Sequence, residues 1–287
     1  MSIIEAKNLS LAFGDHQVLS DINFTINRGS FTALLGKNGA GKSTILNILM
    51  GQFPGSKGDC KIFNEDIRKN PSHLKQRIGH VSENINFSYP VSVKEFIKIY
   101  GSLFINYDYG YFDQLVNDFE ISINKPFHQY SRGQKMQIVL MAALAQRPEL
   151  LLVDEITSVL DASARNRTID LLSNFTKSGG TVILTTNIVG EIQNFCTHVM
   201  FLQDTKIKFH SHMSEVSKNF RKIKTLKPSP IITLANAAWI GTNSDGSQSY
   251  IVPSDKFSQL NANDFQDDRR ALTLVDIYNY HGQRIQE

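Results

Sequence analysis

The sequence is poor in cysteine, nearly balanced in charge and without long hydrophobic runs. Its two cysteines, Cys60 and Cys196, are too few for a disulfide framework and predict free, buried thiols in a reducing compartment. The net charge of +3 is too small to indicate a nucleic-acid partner. The N-terminus lacks the apolar region of a signal peptide, and runs such as VLMAALA are far shorter than the roughly 18 residues of a membrane span. We therefore expect a soluble, cytoplasmic chain.

Segments typical of β-strands and α-helices alternate along most of the chain. Two strand patterns separated by the turn GDH come first and predict N-terminal antiparallel strands. From residue 31 onwards strands and helices alternate, as in a mainly parallel sheet that is covered by helices on both faces. A helical stretch at about residues 84–146 interrupts this alternation and predicts an inserted α-helical subdomain. The predicted fold class is therefore α/β.

The composition changes after about Ser217. The segment KNFRKIKTLKPSP is basic and ends in two prolines, which predicts a linker; a surface that contacts anionic lipid is the alternative interpretation. The remaining residues predict a small β-containing unit with a turn at NSDG, followed by a helix from Thr273 to Tyr280. We expect one large domain over residues 1–217 and a C-terminal accessory region over residues 218–287.

The segment GKNGAGKST, residues 36–44, fits the pattern G-x-x-x-x-G-K-[ST] and lies between a predicted strand and a predicted helix. In this context glycines let the backbone wrap around phosphate oxygens, and N–H groups at the helix start donate to them. Lys42 is expected to reach the β- and γ-phosphates, and the Ser43 hydroxyl to ligate Mg²⁺. The predicted phosphate-binding residues are Gly36, Asn38, Gly39, Gly41, Lys42, Ser43 and Thr44.

The acidic pair at the end of LLLVDE, residues 150–155, is the second candidate site. The apolar residues predict a buried strand, and Asp154 follows at its carboxyl end, where ligands bind in parallel sheets. Asp154 is expected to hold Mg²⁺ through water, and Glu155 is the candidate general base for a hydrolytic water. Two solvated acids at a strand end are the alternative interpretation of this segment alone. Together with the phosphate loop, the pair indicates a nucleoside triphosphatase.

The segment YSRGQ, residues 130–134, resembles the LSGGQ signature of ATP-binding cassette (ABC) proteins, and SVLD, residues 158–161, resembles their D-loop. The phosphate loop, YSRGQ, LLLVDE and SVLD follow one another in the family's order, and the resemblance spans about residues 3–210. It implies the P-loop fold of an ABC cassette, with ATP and Mg²⁺ as cofactors.

In this family the signature helix caps the γ-phosphate of ATP that is bound to the phosphate loop of a second cassette. The resemblance therefore implies a dimer, either of this chain with itself or with a homologous subunit. The start of the signature helix adds a dipole that favours negative charge. The residues that the resemblance assigns to the shared ATP on this side are Ser131, Gly133, Gln134 and Asp161.

Two further positions take a role only from the resemblance. Phe13 stands where the family places an aromatic residue that stacks on adenine, although a core phenylalanine is an equally good interpretation. Glu83 stands where the family usually has a glutamine that senses Mg²⁺ and the attacking water. A carboxylate can also bind Mg²⁺, so Glu83 is a candidate metal ligand and catalytic residue. Its extra negative charge beside the γ-phosphate would alter the timing of hydrolysis.

The strand pattern VILTTN ends in Asn187, where the family normally has a switch histidine that contacts the γ-phosphate. An amide can donate a hydrogen bond but cannot take up a proton, so losing a preorganised donor here would cost on the order of 10²-fold in rate. Asn187 either substitutes adequately or slows turnover. His198 begins the next strand and is a poor replacement. A nucleotide-gated regulatory or assembly subunit with little turnover is therefore the alternative to a working ATPase.

The resemblance also implies a separate integral membrane subunit that is moved when ATP closes the dimer. Aromatic residues between positions 87 and 112 are candidates either for the groove that receives this subunit or for the protein core. The segment TLVDIYNYHG resembles a helix that follows the cassette in bacterial export-type subunits, which favours an exporter. We therefore expect an ATP-hydrolysing transporter subunit, attached to the cytoplasmic face of the membrane through its partner.

Overall fold

The computed structural model describes residues 1–54, 56–69, 71–82, 91–187, 189–226, 237–260, 265–268 and 272–283. The strands, in chain order, are β1 (Ser2–Phe13), β2 (His16–Asn27), β3 (Phe31–Leu35), β4 (Lys57–Ile62), β5 (Glu65–Asp66), β6 (Ile78–Val81), β7 (Leu150–Asp154), β8 (Thr181–Thr186), β9 (His198–Gln203), β10 (Lys206–His212), β11 (Phe220–Thr225), β12 (Ala238–Thr242), β13 (Gln248–Pro253) and β14 (Gln266–Asp267). The helices are α1 (Lys42–Leu49), α2 (Pro71–Lys75), α3 (Val93–Gly101), α4 (Tyr109–Asp118), α5 (Arg132–Ala145), α6 (Ala162–Lys177), α7 (Val189–Ile192), α8 (Met213–Asn219) and α9 (Leu274–Gln283).

The central sheet has the strand order β10-β9-β3-β8-β7-β6. Its neighbouring strands run parallel except for the antiparallel pair of β9 and β10. Every residue of β3, β7 and β8 is buried, as expected for parallel strands that are covered on both faces. The predicted α/β fold with a mainly parallel sheet is therefore confirmed.

An antiparallel sheet with the order β2-β1-β4-β5 covers one face of the central sheet, together with α1. Along β2, Ile22, Phe24 and Ile26 are buried and the residues between them are exposed, so one side of this sheet faces the core. Helices α5, α6 and α7 cover the opposite face of the central sheet. The predicted N-terminal antiparallel strands are confirmed.

Helices α3, α4 and α5 form the inserted helical subdomain that the sequence predicts. Most of the aromatic residues expected either in a groove or in the core belong to the core. Phe112 is buried in the apolar cluster of this face, and the partly buried side chains of Phe96, Tyr100, Tyr107 and Tyr111 pack against that cluster. Tyr109 is an exception, with 45% of its surface exposed. Phe87 lies outside the described residues.

The predicted linker after Ser217 is wrong for residues 218–225. Residues 213–219 form α8, and residues 220–225 form β11, an inner strand of a third sheet with the order β12-β13-β11-β14. Phe220, Ile223 and Thr225 are buried in this strand, so the segment has a core-facing side between its basic residues. The predicted boundary at residue 217 falls within α8 and stays a prediction.

The basic residues of this segment that the structure describes form ion pairs with acidic side chains. The pairs are Lys218–Glu215 (2.8 Å), Arg221–Asp267 (3.5 Å), Lys222–Asp276 (3.2 Å) and Lys224–Asp245 (2.9 Å). Charges that are neutralised within the protein contribute little to an attraction for anionic lipid. Lys227, the last basic residue of the segment, lies outside the described residues.

Helix α9, expected at Thr273–Tyr280, is present and packs on the cassette. Leu274, Ile277 and Tyr280 belong to the same apolar cluster as α5, α6 and α7. Asp276 fixes the start of the helix, because its carboxylate accepts from the N–H (2.8 Å) and the hydroxyl (2.9 Å) of Thr273. The same carboxylate pairs with Lys222 of β11. The accessory sheet, α9 and the cassette therefore share one core.

We predict that D276N lowers the free energy of unfolding by about 1–3 kcal/mol, because it leaves the Lys222 ammonium partly buried without its ionic partner. Chemical denaturation of the full chain measures the loss. E215Q is the matched control, since it removes the exposed pair with Lys218, which contributes little. Equal unfolding midpoints for the two variants would contradict a structural role for the Lys222–Asp276 pair.

Candidate functional site

The phosphate loop connects β3 to α1 at the edge of the central sheet where the parallel strands end. Lys42 is the first residue of α1, and only 4% of its surface is exposed. Its Nζ atom donates to the main-chain oxygens of Gly36 (2.9 Å) and Lys37 (3.1 Å). The loop thus holds the ammonium group inside the turn where phosphate is expected to bind.

Three glycines shape this loop in different ways. Gly39 (φ +79°) and Gly41 (φ +103°) adopt left-handed conformations that other residues rarely adopt. Gly36 is required for space, because a Cβ atom there would lie 2.5 Å from the carbonyl oxygen of Leu202 on β9. The glycines therefore serve the turn itself and its packing against the neighbouring strand.

The acidic pair lies at the end of β7. Asp154 is 8% exposed and accepts a hydrogen bond of 2.5 Å from the hydroxyl of Thr185 on β8. The same hydroxyl accepts from the main-chain N–H of Glu155 (3.0 Å). Glu155 has φ +48°, a conformation that is strained for a residue with a side chain. Thr185 thus contacts both acids, and the chain turns sharply at Glu155.

Lys42 and Glu155 contact each other at the carboxyl ends of the parallel strands. The Lys42 Nζ atom lies 3.3 Å from Glu155 Oε1, with the side chains 3% and 19% exposed. This pair lines a cleft of about 370 Å³ together with Val18, Asn38, Gly39, Gly41, Ser43 and Thr44. A γ-phosphate that reached Lys42 would compete with Glu155 for the same ammonium group. The two motifs therefore form one site.

The signature segment begins α5 as predicted. The hydroxyl of Ser131 accepts from the N–H of Gln134 (3.1 Å), and the Gln134 side chain accepts from the N–H of Ser131 (3.1 Å). This reciprocal cap satisfies two donors at the helix start and leaves both side chains exposed. The Ser131 hydroxyl keeps its own proton for donation to an external acceptor, such as a phosphate of a second cassette.

Gly133 lies against the D-loop of its own chain. A Cβ atom at this position would be 3.1 Å from the carbonyl oxygen of Val159 and from a methyl group of Leu160. Asp161 ends the D-loop as the cap of α6, where its carboxylate accepts from the N–H of Ala164 (2.9 Å). The structure therefore shows a local packing role for Gly133 and a capping role for Asp161, and their contacts with ATP stay predictions.

The switch position, Asn187, and the histidine nearest to it in the sequence, His198, lie at opposite ends of the strands. Asn187 is exposed directly after β8, at the same end of the strands as the phosphate loop. His198 begins β9 at the opposite end of the strands, where its ring centroid lies 4.8 Å from that of His212. His198 therefore does not replace the switch histidine, in agreement with the sequence interpretation.

Phe13 and Glu83 are the two predicted site residues that remain. Phe13, at the end of β1, is 51% exposed and contacts Phe53 at 5.4 Å between ring centroids, so the interpretation as a plain core residue is wrong. Its stacking on adenine stays a prediction. Glu83 lies outside the described residues, and its role as a metal ligand stays a prediction.

Sequence analysis missed several residues that surround the site. Arg165 of α6 donates to the carbonyl oxygens of Thr157 (2.9 Å) and Leu160 (2.8 Å) and so supports the D-loop. Burial lowers the pKa of His80 on β6 by more than the charge of Asp154 raises it, which favours the neutral imidazole. Thr185, described above, is the third. Each lies on a different element from the site residues named above, so no local motif marks it.

The oxygen ligands at this site fit magnesium. Mg²⁺ prefers hydroxyl, carboxylate, phosphate and water oxygens and is usually held by few protein groups. Ser43 and Asp154 supply a hydroxyl and a carboxylate, in agreement with that preference. Among the described residues, no group of three or more His, Cys, Asp or Glu side chains is arranged to bind a metal ion by itself.

Comparison with known proteins shows which family the chain resembles. The family model described as ABC transporter matches residues 19–158, which contain the phosphate loop, the signature segment and the acidic pair. Over this segment the chain is similar to ABC transporter ATP-binding proteins. ATPases of this family bind ATP and, typically, Mg²⁺. In the part of the chain that the structure describes, none of the helices has the length and apolar character to cross a bilayer.

The similar curated proteins include both transport directions. The chain is 29% identical to the ABC transporter ATP-binding protein YtrB of Bacillus subtilis, over 77% of this chain and 76% of that protein. It is 28% identical to the Nod factor export ATP-binding protein I of Burkholderia lata, over 70% and 68%. It is 27% identical to the phosphonates import ATP-binding protein PhnC of Fusobacterium nucleatum, over 77% and 98%.

Solved ABC cassettes share the fold. CbiO1 from Clostridium perfringens, part of the ABC transporter complex cbiONQ, is 27% identical and superposes with a TM-score of 0.65, covering 75% of this chain and 90% of that chain. A dimeric cassette bound to ADP and Pi in a post-hydrolysis state is 22% identical, with a TM-score of 0.63 over 73% and 98%. The second likeness concerns the fold alone.

We predict that G36A weakens ATP binding by at least about tenfold, or ~1.4 kcal/mol, because the added methyl group would displace the loop from the carbonyl of Leu202. Titration with a fluorescent ATP analogue measures the affinity. G110A is the matched control, because a Cβ atom in α4 has its nearest neighbour at 3.5 Å and alanine favours a helix. Wild-type affinity in G36A would contradict the predicted role of this loop.

Proposed function

We propose that this chain is the ATP-binding and ATP-hydrolysing subunit of a membrane exporter. The contact between Lys42 and Glu155 is the main support, since it unites the phosphate loop and the candidate base in one cleft. In the proposed reaction Lys42 and the loop N–H groups hold the β- and γ-phosphates. Glu155 takes a proton from the attacking water, and Ser43 and Asp154 would hold Mg²⁺, which stabilises the developing charge.

The proposal includes a dimer in which ATP is shared. Ser131 and the start of α5 are exposed and already satisfied by their own cap, so they are available to phosphate on another chain. The cleft is lined by one phosphate loop and by no residue of the signature segment. A second cassette, either a copy of this chain or a homologous subunit, would supply that segment. Separation after hydrolysis would reset a membrane-embedded partner subunit.

Export, rather than import, is supported by two observations. The segment TLVDIYNYHG, which resembles a helix of export-type subunits, lies in and beside α9. One group of similar proteins is named for Nod factor export, although another is named for phosphonate import. Attachment to the cytoplasmic face of the membrane through the partner subunit is part of the same proposal.

A nucleotide-gated regulatory subunit is the second candidate function. It is favoured by Asn187, which places an amide at the end of β8 where the family has a histidine, while His198 lies at the opposite end of the strands. An amide can bind phosphate but cannot carry a proton between groups. This arrangement is compatible with ATP binding that is followed by slow turnover.

Steady-state ATPase measurements distinguish the two functions. We expect wild-type turnover that E155Q lowers by at least about 10²-fold, because the substitution removes the general base and keeps the side-chain size. ATP affinity should be retained in E155Q, since the amide no longer competes for Lys42. Tight ATP binding without turnover, both for the chain alone and with its membrane partner, would favour the regulatory subunit.

Cysteine cross-linking tests the shared ATP. In the E155Q background, we expect N38C combined with S131C to form an ATP-dependent disulfide between two chains, because both positions are exposed. Burial raises the pKa of Cys60 and of Cys196 to about 12, so the native thiols should stay unreactive at neutral pH. S131C alone is the control. A chain that stays monomeric and unlinked with ATP would contradict a homodimer.

A further inference from the structure

A buried hydrogen bond joins the turn after the candidate base to the strand that ends at the switch position. Thr157 lies in the 3₁₀ turn of residues 156–159, which directly follows Glu155. Its hydroxyl lies 3.0 Å from the hydroxyl of Thr186, the last residue of β8. Both threonines are 1% exposed. Because Asn187 is the next residue after Thr186, this contact connects the base segment directly to the switch position.

The turn is attached to β8 at two successive residues. The main-chain N–H of Glu155 donates to Thr185, both to its carbonyl oxygen (3.2 Å) and to its hydroxyl (3.0 Å). The contact between Thr157 and Thr186 is the second attachment, one residue further along β8. One attachment leaves a segment free to pivot, whereas two attachments define its direction. The second contact therefore fixes the orientation of the turn relative to the end of β8.

Arg165 of α6 holds the main chain of the same segment. Its guanidinium group donates to the carbonyl oxygens of Thr157 (2.9 Å) and Leu160 (2.8 Å), two acceptors that a planar fork can reach together. Within the turn, the hydroxyl of Ser158 donates to the carbonyl oxygen of Glu155 (2.8 Å). The backbone of the turn is thus braced, so the Thr157 hydroxyl occupies a defined position.

The signature helix packs on the same turn. A Cβ atom added at Gly133 of α5 would lie 3.1 Å from the carbonyl oxygen of Val159 and from a methyl group of Leu160. The lack of a side chain at Gly133 lets α5 approach the turn this closely. A shift of α5 on binding the phosphate of a second cassette would therefore be transmitted to the turn that Thr157 links to β8.

We infer that Thr157 is a positioning residue for the proposed ATP hydrolysis: by bonding Thr186 it holds the switch position, Asn187, in a fixed place relative to Glu155. The inference rests on the proposed function, because it concerns the hydrolytic step. A neutral amide stabilises phosphate only through a short, well-aligned hydrogen bond, so the anchoring of Asn187 matters more than that of a charged group. Thr157 itself is buried and is not among the residues that line the cleft. It acts through Asn187 and Glu155.

Removal of one buried hydroxyl tests the inference. We expect T157V to lower kcat for ATP hydrolysis at least about fivefold, the factor that corresponds to one lost hydrogen bond, with KM unchanged. KM is expected to stay the same because Lys42 and the phosphate loop, which hold the nucleotide, are untouched. T157S keeps the hydroxyl and is expected to restore the wild-type kcat.

T168V is the matched control. Thr168 is also fully buried, and its hydroxyl donates to the carbonyl oxygen of Ala164 in its own helix (2.8 Å), so this variant likewise loses one buried hydroxyl. We expect T168V to lose as much thermal stability as T157V and to keep its kcat. Unchanged kcat in T157V, an equal loss of kcat in the two valine variants, or a failure of T157S to restore kcat would overturn the inference.

A second measurement does not depend on turnover and so separates this inference from the proposed function. Hydrogen–deuterium exchange of the full chain, without nucleotide, is followed by mass spectrometry in peptides that contain Asn187. We expect exchange there to be about fivefold faster in T157V than in the wild type, and unchanged in T157S and T168V. Exchange that is unchanged in T157V, or accelerated throughout the chain, would overturn the inference even if the chain hydrolyses ATP normally. If the wild type shows no turnover, the proposed function fails, and this measurement alone decides whether Thr157 positions the switch segment.

Discussion

The ion pair between Lys42 and Glu155 is the contact on which the candidate site depends. It requires β3 and β7, which are separated in the sheet by β8, to end at the same level. Thr185 of β8 hydrogen-bonds to the Asp154 carboxylate and to the main-chain N–H of Glu155 at that level. Because the strands are buried on both faces, a shift of one residue in their register would exchange the side chains that pack against the two covering layers. The apolar packing of the sheet therefore sets the distance between the two motifs.

The sequence analysis was most successful where a function is encoded locally. The phosphate loop, the cap of α5 and the strand before the acidic pair each lie within a few residues, so composition and spacing identify them. The alternation of strands and helices then predicted the parallel sheet, since each buried strand is a short apolar run. The strand β10 has no such signal, because it lies at the sheet edge and most of its residues are only partly buried.

The failures concern contacts between residues that are distant in the chain. Basic residues at 221–224 look like a solvated linker until the acids that neutralise them, such as Asp267 and Asp276, are placed beside them by the fold. In the same way, Arg165 beneath the D-loop cannot be recognised from its neighbours in the sequence. Glu83 and Phe13 keep roles that come from the family resemblance.

The common core of the cassette and the accessory sheet has a practical meaning for protein engineering. Ile251 of β13 and Ile277 of α9 lie in one apolar cluster with Ile192 of α7. Truncating the polypeptide at the end of α8 would expose that cluster to water, and the exposed apolar surface would promote aggregation. The last quarter of the polypeptide thus packs as part of the ATP-binding unit, and a minimal cassette made from this protein would need new polar residues along α7.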